Sequence, residues 1–461
     1  MKSTVDEGGT AAPSEALAAG PLREPVHKPL PEPAQQPPPE PLRKRVLEAP
    51  RALPAPAVPP PRLTTDPSGV LVVGASAAGL TVAETLRRLG YAGALTVLGA
   101  EPHLPYDRPP LSKHVLSGHW EPSRATLRDP QALARLDAAL VLGSPAVALD
   151  AGARSVRTAA GRTLRADAVV VATGLSPRTL PGQADLAGAH VLRTLDDALA
   201  LRRELTPGAR LVVIGDGVLG SEIAATARSM GAEVTLVGPQ PAPMTDQLGP
   251  EVAARLARLH TDHGVRLLPG SAVRGLRAAG GRVDGVHLDS GETLPADVAV
   301  VAIGAAPNTA WLTGSGLRVD DGLVCDSWCR AAEGIYAAGD VARWHHDGLG
   351  TLQRLENRTN ATEQAMAVAR TVLGDARPYR PVPYFWTEQY ATRIHVYGTP
   401  AADAELTVVE GDMAEQRFVA LYHRDGTVTG VLGWNMPKQA RLLRQRLVDA
   451  YASAAPGSAT P

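Results

Sequence analysis

The chain alternates short apolar runs with stretches of helical spacing. The first run, Val70-Leu71-Val72-Val73, ends in Gly74 and passes into apolar positions recurring at helical intervals. A second copy begins at Leu211-Val212-Val213-Ile214, and a third run, Asp297 to Ile303, again precedes a glycine. Strands alternating with helical segments predict parallel sheets of the doubly wound kind. Past Pro378 the pattern changes. Aromatic residues gather in Tyr384-Phe385-Trp386, and the segments Arg417 to His423 and Val428 to Trp434 alternate with period two, predicting an antiparallel hairpin in a separate C-terminal domain. No repeat at solenoid spacing is present.

A length of 461 residues is enough for roughly three domains at about 100 to 200 residues each. The 46 Lys and Arg against 47 Asp and Glu leave a net charge of -1, so no overall basic field gathers nucleic acid or an anionic membrane surface. No apolar run of about 18 residues is available to span a bilayer. Two cysteines, Cys325 and Cys329, cannot build a disulfide framework, and a cytoplasmic, reduced setting is expected. Proline is concentrated at the start: residues 1–61 hold 16 of the 41. Fixed φ angles, missing amide donors and few large apolar residues predict a disordered or polyproline-II tail over 1–66, with a ligand for a proline-binding module as the alternative. That segment has neither the apolar core of a secretory signal nor the acid-poor composition of a transit peptide.

Two turns carry candidate chemistry. In Gly74-Ala75-Ser76-Ala77-Ala78-Gly79, Gly74 allows a sharp turn, the small Ser76 and Ala78 leave the backbone open to a pyrophosphate, and Gly79 permits close helix–sheet packing. A strand over Ala94 to Leu98 then precedes Glu101, about where an acid accepts hydrogen bonds from an adenine ribose. In Gly215-Asp216-Gly217-Val218-Leu219-Gly220 all three glycines are present, and the amides at the start of the helix Val218 to Met230 are expected to hold a second pyrophosphate. The next strand, Val234 to Val237, ends in Gly238-Pro239-Gln240 with no acid, and no Arg or Lys occurs between Gly238 and Asp246. NADH is the expected hydride donor, with NADPH left open. Two dinucleotides in one chain imply electron traffic, and flavin with nicotinamide is the obvious pair.

The segment Pro105-Tyr106-Asp107-Arg108-Pro109-Pro110-Leu111-Ser112-Lys113 resembles the active-site segment of NAD(P)H-dependent ferredoxin reductases that serve cytochrome P450 and ring-hydroxylating dioxygenase systems. The resemblance continues through Ala172-Thr173-Gly174, Ala302 to Asn308, Tyr336 to Ala342 and Pro383 to Tyr390, covering residues 69 to about 447. It implies a glutathione-reductase-like α/β fold of two Rossmann-type dinucleotide-binding domains and a smaller α+β C-terminal domain. The implied layout is an FAD domain over 67–181 and 308–377, an NAD(P) domain over 182–307, a C-terminal domain over 378–450, and a disordered end over 451–461.

The resemblance also implies roles. FAD is expected on Gly74, Ser76, Ala78, Gly79, Glu101, Arg108, Pro109, Lys113, Ala172, Thr173, Gly174, Gly339, Asp340, Glu356, Gln364 and Trp386. NAD(P) is expected on Gly215, Gly217, Gly220, Glu222 and Gly304. Asp340 would accept hydrogen bonds from the ribityl chain, with helix N-capping as its bland alternative. Arg108 and Pro109 would border the isoalloxazine. Lys113 would stabilise negative charge near flavin N5 and O4, paired with Glu222, and Trp386 would lie over the flavin on the docking side. One departure is Arg358, where many members carry tryptophan.

No metal is expected, and two cysteines are too few to hold an iron–sulfur cluster. Cys325 and Cys329 lie far in motif order from Lys113, so a dithiol relay is not expected, and electrons would leave singly to a ferredoxin, indirectly supplying a P450 or dioxygenase. Lys438, Arg441, Arg444 and Arg446 are candidates for facing an acidic ferredoxin, against a plain solvated helix face. Rival readings are an NAD(P)H oxidase or quinone reductase, and a flavoprotein acting by binding that resembles apoptosis-inducing factor.

Overall fold

A computed structural model describes residues 67–400 and 403–453. The proline-rich segment expected to be a tail, and the end beyond Ser453, lie outside the described residues. The expected disordered end is corrected at its start: the last helix, Pro437–Ser453, runs past residue 450.

Valine-rich runs form the centres of two parallel sheets because strands covered on both faces by other layers need apolar side chains at every position. The first sheet has the order Arg330–Ala332, Ile335–Ala337, Ala168–Val171, Gly69–Val73, Ala94–Leu98, Ala139–Val141. All its pairings are parallel except the edge hairpin of the first two. Its glycine turn leads into the helix Ala77–Arg88, which packs against the helix Arg358–Val372. The second sheet, all parallel, has the order Arg266–Leu268, Glu233–Val237, Arg210–Ile214, Val298–Val301, Ala189–His190, and its turn opens the helix Val218–Ser229. The chain passes between the two sheets twice, through Leu175–Pro177 and Ala305–Pro307, which pair antiparallel.

The expected hairpin is the centre of a five-stranded antiparallel sheet, ordered Tyr384–Gln389, Thr392–Gly398, Thr427–Trp434, Arg417–Arg424, Glu405–Asp412. One face of it, with Phe418, Tyr422 and Trp434, packs on Leu248, Val252 and Leu256 of the helical segment Thr245–Asp262. The other face receives the helix Pro437–Ser453 through Ala440 and Leu447. The C-terminal sheet is thereby braced on the helical segment that joins two strands of the second parallel sheet.

Candidate active site

Both glycine turns are so tight that a side chain would collide with backbone. A Cβ on Gly79 would lie 1.7 Å from the carbonyl oxygen of Gly74, and one on Gly220 would lie 1.8 Å from that of Gly215. Nothing lies within 4 Å of the corresponding point on Gly217, so the middle of the second turn is open, as close approach of a pyrophosphate requires.

The turns open into two adjoining cavities of about 310 and 520 Å³. Ser76, Arg108, Ala172 and Thr173 line both. Gly74 and Glu101 face the first, and Ala78, Pro109, Gly174, Gly339, Asp340 and Glu356 face the second. The second cavity is also lined by Gly217, Glu222 and Gly304 of the other sheet. The two sets of expected contacts, separated in sequence, therefore border one groove. Gly79, Gly215 and Gly220 stand behind it as packing positions.

Where the two halves meet, Lys113 and Glu222 form a buried pair. Lys113 Nζ donates to Glu222 Oε2 at 2.6 Å, to the Pro109 carbonyl at 3.1 Å and to Ser112 Oγ at 3.2 Å. Ser112 Oγ donates to the same carboxylate oxygen at 2.6 Å, while Thr387 Oγ1, from the C-terminal sheet, donates to Oε1 at 2.8 Å. The side chains are only 12% and 6% exposed, so the pair is buried rather than solvated. All three ammonium hydrogens are held by protein acceptors. Glu222 and Ser112 line the groove, and the lysine bears on it through them. Behind Thr387, Gln389 Nε2 donates to Thr387 Oγ1, and His260 Nε2 lies 2.8 Å from Gln389 Oε1.

The geometry refines some expected roles and corrects others. Glu101 lines the first cavity with its carboxylate braced, Oε1 accepting from Arg108 Nη2 at 2.7 Å and Oε2 taking the Tyr106 hydroxyl, which leaves one acceptor position on each oxygen. Arg108 also donates to the Arg193 carbonyl, so the two residues brace each other at the junction of the cavities. Gln364 is fully buried behind the groove, where Oε1 accepts from Gly339 N at 2.9 Å and Nε2 points to Cys329 Sγ. It shapes the Gly339 turn without lining the groove. Trp386 is not among the lining residues: strand alternation puts it on the face opposite Thr387, where it stacks on Tyr384 at 6.1 Å. Asp340 is not an N-cap. Ala338 holds that position ahead of the short helical turn Gly339–Val341, and Asn357 caps the following helix. Burial raises the Asp340 carboxyl above the ordinary range, with Arg193 opposing. Arg358, the departure from the family pattern, bridges to Asp107 at the rim.

Arg193 was missed by sequence reasoning. It lines the second cavity, its Nη2 lies 3.3 Å from Asp340 Oδ2, and its buried Nε has no acceptor among the described residues. Its only local signal is its place just before Thr194, whose side chain and Asp197 form a reciprocal capping box on the helix Leu195–Glu204. Cys325 and Cys329 are free and lie in the core of the first sheet. Burial raises both thiols, Cys329 to about 12, so neither is poised as a nucleophile near Lys113.

Two glycine-turn cradles that share one groove across a buried Lys–Glu pair define a two-dinucleotide oxidoreductase of the glutathione-reductase-like fold. The chain belongs to the pyridine nucleotide-disulphide oxidoreductase family: that family's pattern matches residues 68–365, and a reductase C-terminal pattern matches 384–460. It is 36% identical over 382 residues to rhodocoxin reductase of Rhodococcus erythropolis, covering 82% of this chain and 89% of the relative. It is 37% identical over 391 residues to the ferredoxin reductase component of chlorobenzene dioxygenase from a Cupriavidus species, covering 84% and 94%. A crystal structure of the covalent putidaredoxin reductase–putidaredoxin complex superposes with a TM-score of 0.79 at 32% identity, covering 86% of this chain and 96% of that one.

Proposed function

We propose that this protein is an FAD-dependent NAD(P)H:ferredoxin oxidoreductase that supplies electrons to a P450 or ring-hydroxylating oxygenase. The observation that carries this reading is the pair of adjoining cavities running from the Gly74 turn to the Gly217 turn, with Glu222 and Ser112 on the wall and Lys113 held behind them. The relatives, by their names, are reductases of rhodocoxin and of a dioxygenase system.

The residues present fit FAD. Tight turns that exclude any Cβ leave backbone amides free for a pyrophosphate, and the orphaned Arg193 Nε offers a buried donor in the wider cavity. Gly74, Ser76 and Thr173 would hold the adenosine and pyrophosphate side, and Pro109, Arg193, Gly339, Asp340 and Glu356 the opposite side. When bound, FAD supplies the means of accepting a hydride and releasing electrons singly. The chain's residues supply position and field. Lys113 places a positive charge beneath the groove and Glu222 keeps it oriented. Thr387 and Ser112 hold the Glu222 carboxylate in one rotamer.

The C-terminal helix presents Lys438, Arg441 and Arg446 to solvent, and none of the three forms an ion pair with another described residue. They suit an acidic ferredoxin. A cytoplasmic setting accords with two thiols that are both free and buried.

The test is anaerobic reduction by NADH and, separately, NADPH, followed by flavin absorbance, then cytochrome c reduction with and without ferredoxin. Bleaching by a nicotinamide donor and a ferredoxin-dependent rate support the reading. Bleaching with no acceleration by ferredoxin moves the protein to the oxidase or quinone-reductase class.

A further inference from the structure

We propose that Asp216 reads the adenosine ribose of the nicotinamide coenzyme, supplying from the glycine turn the acid that the end of the neighbouring strand lacks. The inference rests on the second cradle binding a nicotinamide dinucleotide.

In a strand–turn–helix cradle the adenosine ribose lies over the end of the next strand, and an acid there accepts its hydroxyl hydrogens. That position is Gly238, directly after the strand Glu233–Val237, and it has no side chain to offer. Its space is already occupied. A Cβ on Gly238 would lie 2.2 Å from Asp216 Cγ and 2.4 Å from Asp216 Oδ2. The carboxylate of Asp216 therefore fills the place where a side chain from residue 238 would begin. An acid at 216 and a side chain at 238 exclude each other sterically, so glycine at the strand end and aspartate in the turn form one complementary substitution.

The carboxylate is held with its acceptor capacity half used. Gln240 N donates to Oδ2 at 2.9 Å and Gln240 Nε2 to Oδ1 at 3.0 Å. Gln240 is itself fixed by Asp246 N, which donates to its Oε1 at 2.8 Å. A carboxylate has about four acceptor positions, so each oxygen keeps one for a vicinal diol. Asp216 is 5% exposed, and among the described residues no Lys, Arg or His forms an ion pair with it. Burying a carboxylate without a cation is costly, and two hydrogen bonds to one glutamine offset that cost only in part. Asp216 itself lines neither cavity, but the adjacent Gly217 and Val218 line the second, so the carboxylate stands one residue behind the groove wall. A 2′-phosphate would bring like charge against it, and no Lys or Arg between Gly238 and Asp246 relieves this. NADH is thereby selected over NADPH.

Oxidised, flavin-loaded full-length protein is titrated calorimetrically with ADP-ribose and with 2′-phospho-ADP-ribose, probes that bind without turnover. Wild type is expected to prefer ADP-ribose. Asp216→Ala should weaken ADP-ribose by about tenfold or more, the scale of a lost charge-assisted hydrogen-bond pair, while the phosphorylated probe is unchanged or tighter. Asp216→Asn, which retains an acceptor for Gln240, should still lose the preference. Asp216→Gly combined with Gly238→Glu should restore it from the strand side. Equal weakening of both probes in Asp216→Ala, or a preference intact in Asp216→Asn, reduces Asp216 to a lock on the 238–240 turn and overturns the proposal. Failure of wild type to bind either probe instead overturns the nicotinamide reading of the second cradle.

Discussion

Breaking the Lys113–Glu222 pair should be among the most damaging single changes available. Glu222→Gln removes the one negative charge facing an ammonium that is 12% exposed, and exchanges an oxygen that accepts from both Lys113 and Ser112 for a donor or a weaker acceptor. Loss of one partner of a buried pair costs about 3–5 kcal/mol, against about 0–1 kcal/mol for an exposed one. Burial and the 2.6 Å contact place this pair in the first class. Lys113→Met should cost a similar amount by leaving Glu222 buried with only Ser112 and Thr387 as donors. The double variant Lys113→Met/Glu222→Gln carries no unpaired charge, so it should lose markedly less than the sum of the singles, with a coupling energy of at least about 2 kcal/mol. Denaturant titrations of all four proteins, followed by near-ultraviolet circular dichroism at constant m-value, measure this cycle. Stopped-flow reduction by NADH should slow in each single variant. If each single change costs under about 1 kcal/mol and the two add, the pair is not an energetic unit and its assigned role at the groove fails with it.

Four further outcomes are expected. Arg193→Met should weaken flavin retention about tenfold to hundredfold on dialysis, since a buried charged donor is lost and Asp340 is left without its guanidinium. Gly220→Ala, which forces a Cβ to 1.8 Å from the Gly215 carbonyl oxygen, should destabilise the second sheet by about 1–3 kcal/mol or more and abolish NAD+ binding in calorimetry while flavin stays bound. Burial pushes His260 down to about 4 from near 6.5, so below pH ~6.5 the unfolded chain takes up a proton that the folded chain refuses. Stability is thus lost as pH falls from ~6.5 to ~4, by about 3 kcal/mol in all, and His260→Gln should show a shallower acid slope in melts at pH 7 and 4.5. Replacing Cys325 and Cys329 together by alanine should leave ferredoxin-dependent cytochrome c reduction within about twofold, because buried thiols with raised pKa take no part in electron flow. A collapse of that rate without loss of bound flavin would reinstate a dithiol relay.

The two cradles were legible from the chain because each is contiguous: strand, glycine turn and helix follow within about a dozen residues, and backbone sterics alone specify glycine where a Cβ meets a carbonyl oxygen. The Lys113 segment was legible as a nine-residue match, and Glu222 as a position on the second turn's helix. Side-chain surroundings have a different origin. Gln364 and Trp386 sit near the right motifs, yet Gly339 and Tyr384 respectively engage them in space. A motif places a backbone segment. It does not say which neighbour satisfies a side chain once buried.

Arg193 reaches Asp340, Thr387 reaches Glu222, and Asp216 fills the space above Gly238. Each of these contacts joins residues that no local pattern connects, and two of them cross between separately folded sheets. What the sequence determined by itself was everything governed by hydrophobic period and local backbone strain: two parallel αβ layers, their phosphate turns, and an antiparallel end domain. Tertiary structure alone decided which acids are free, which are braced and which stand in for a missing neighbour, because a buried polar atom takes its partner from whatever the packing brings within hydrogen-bond range.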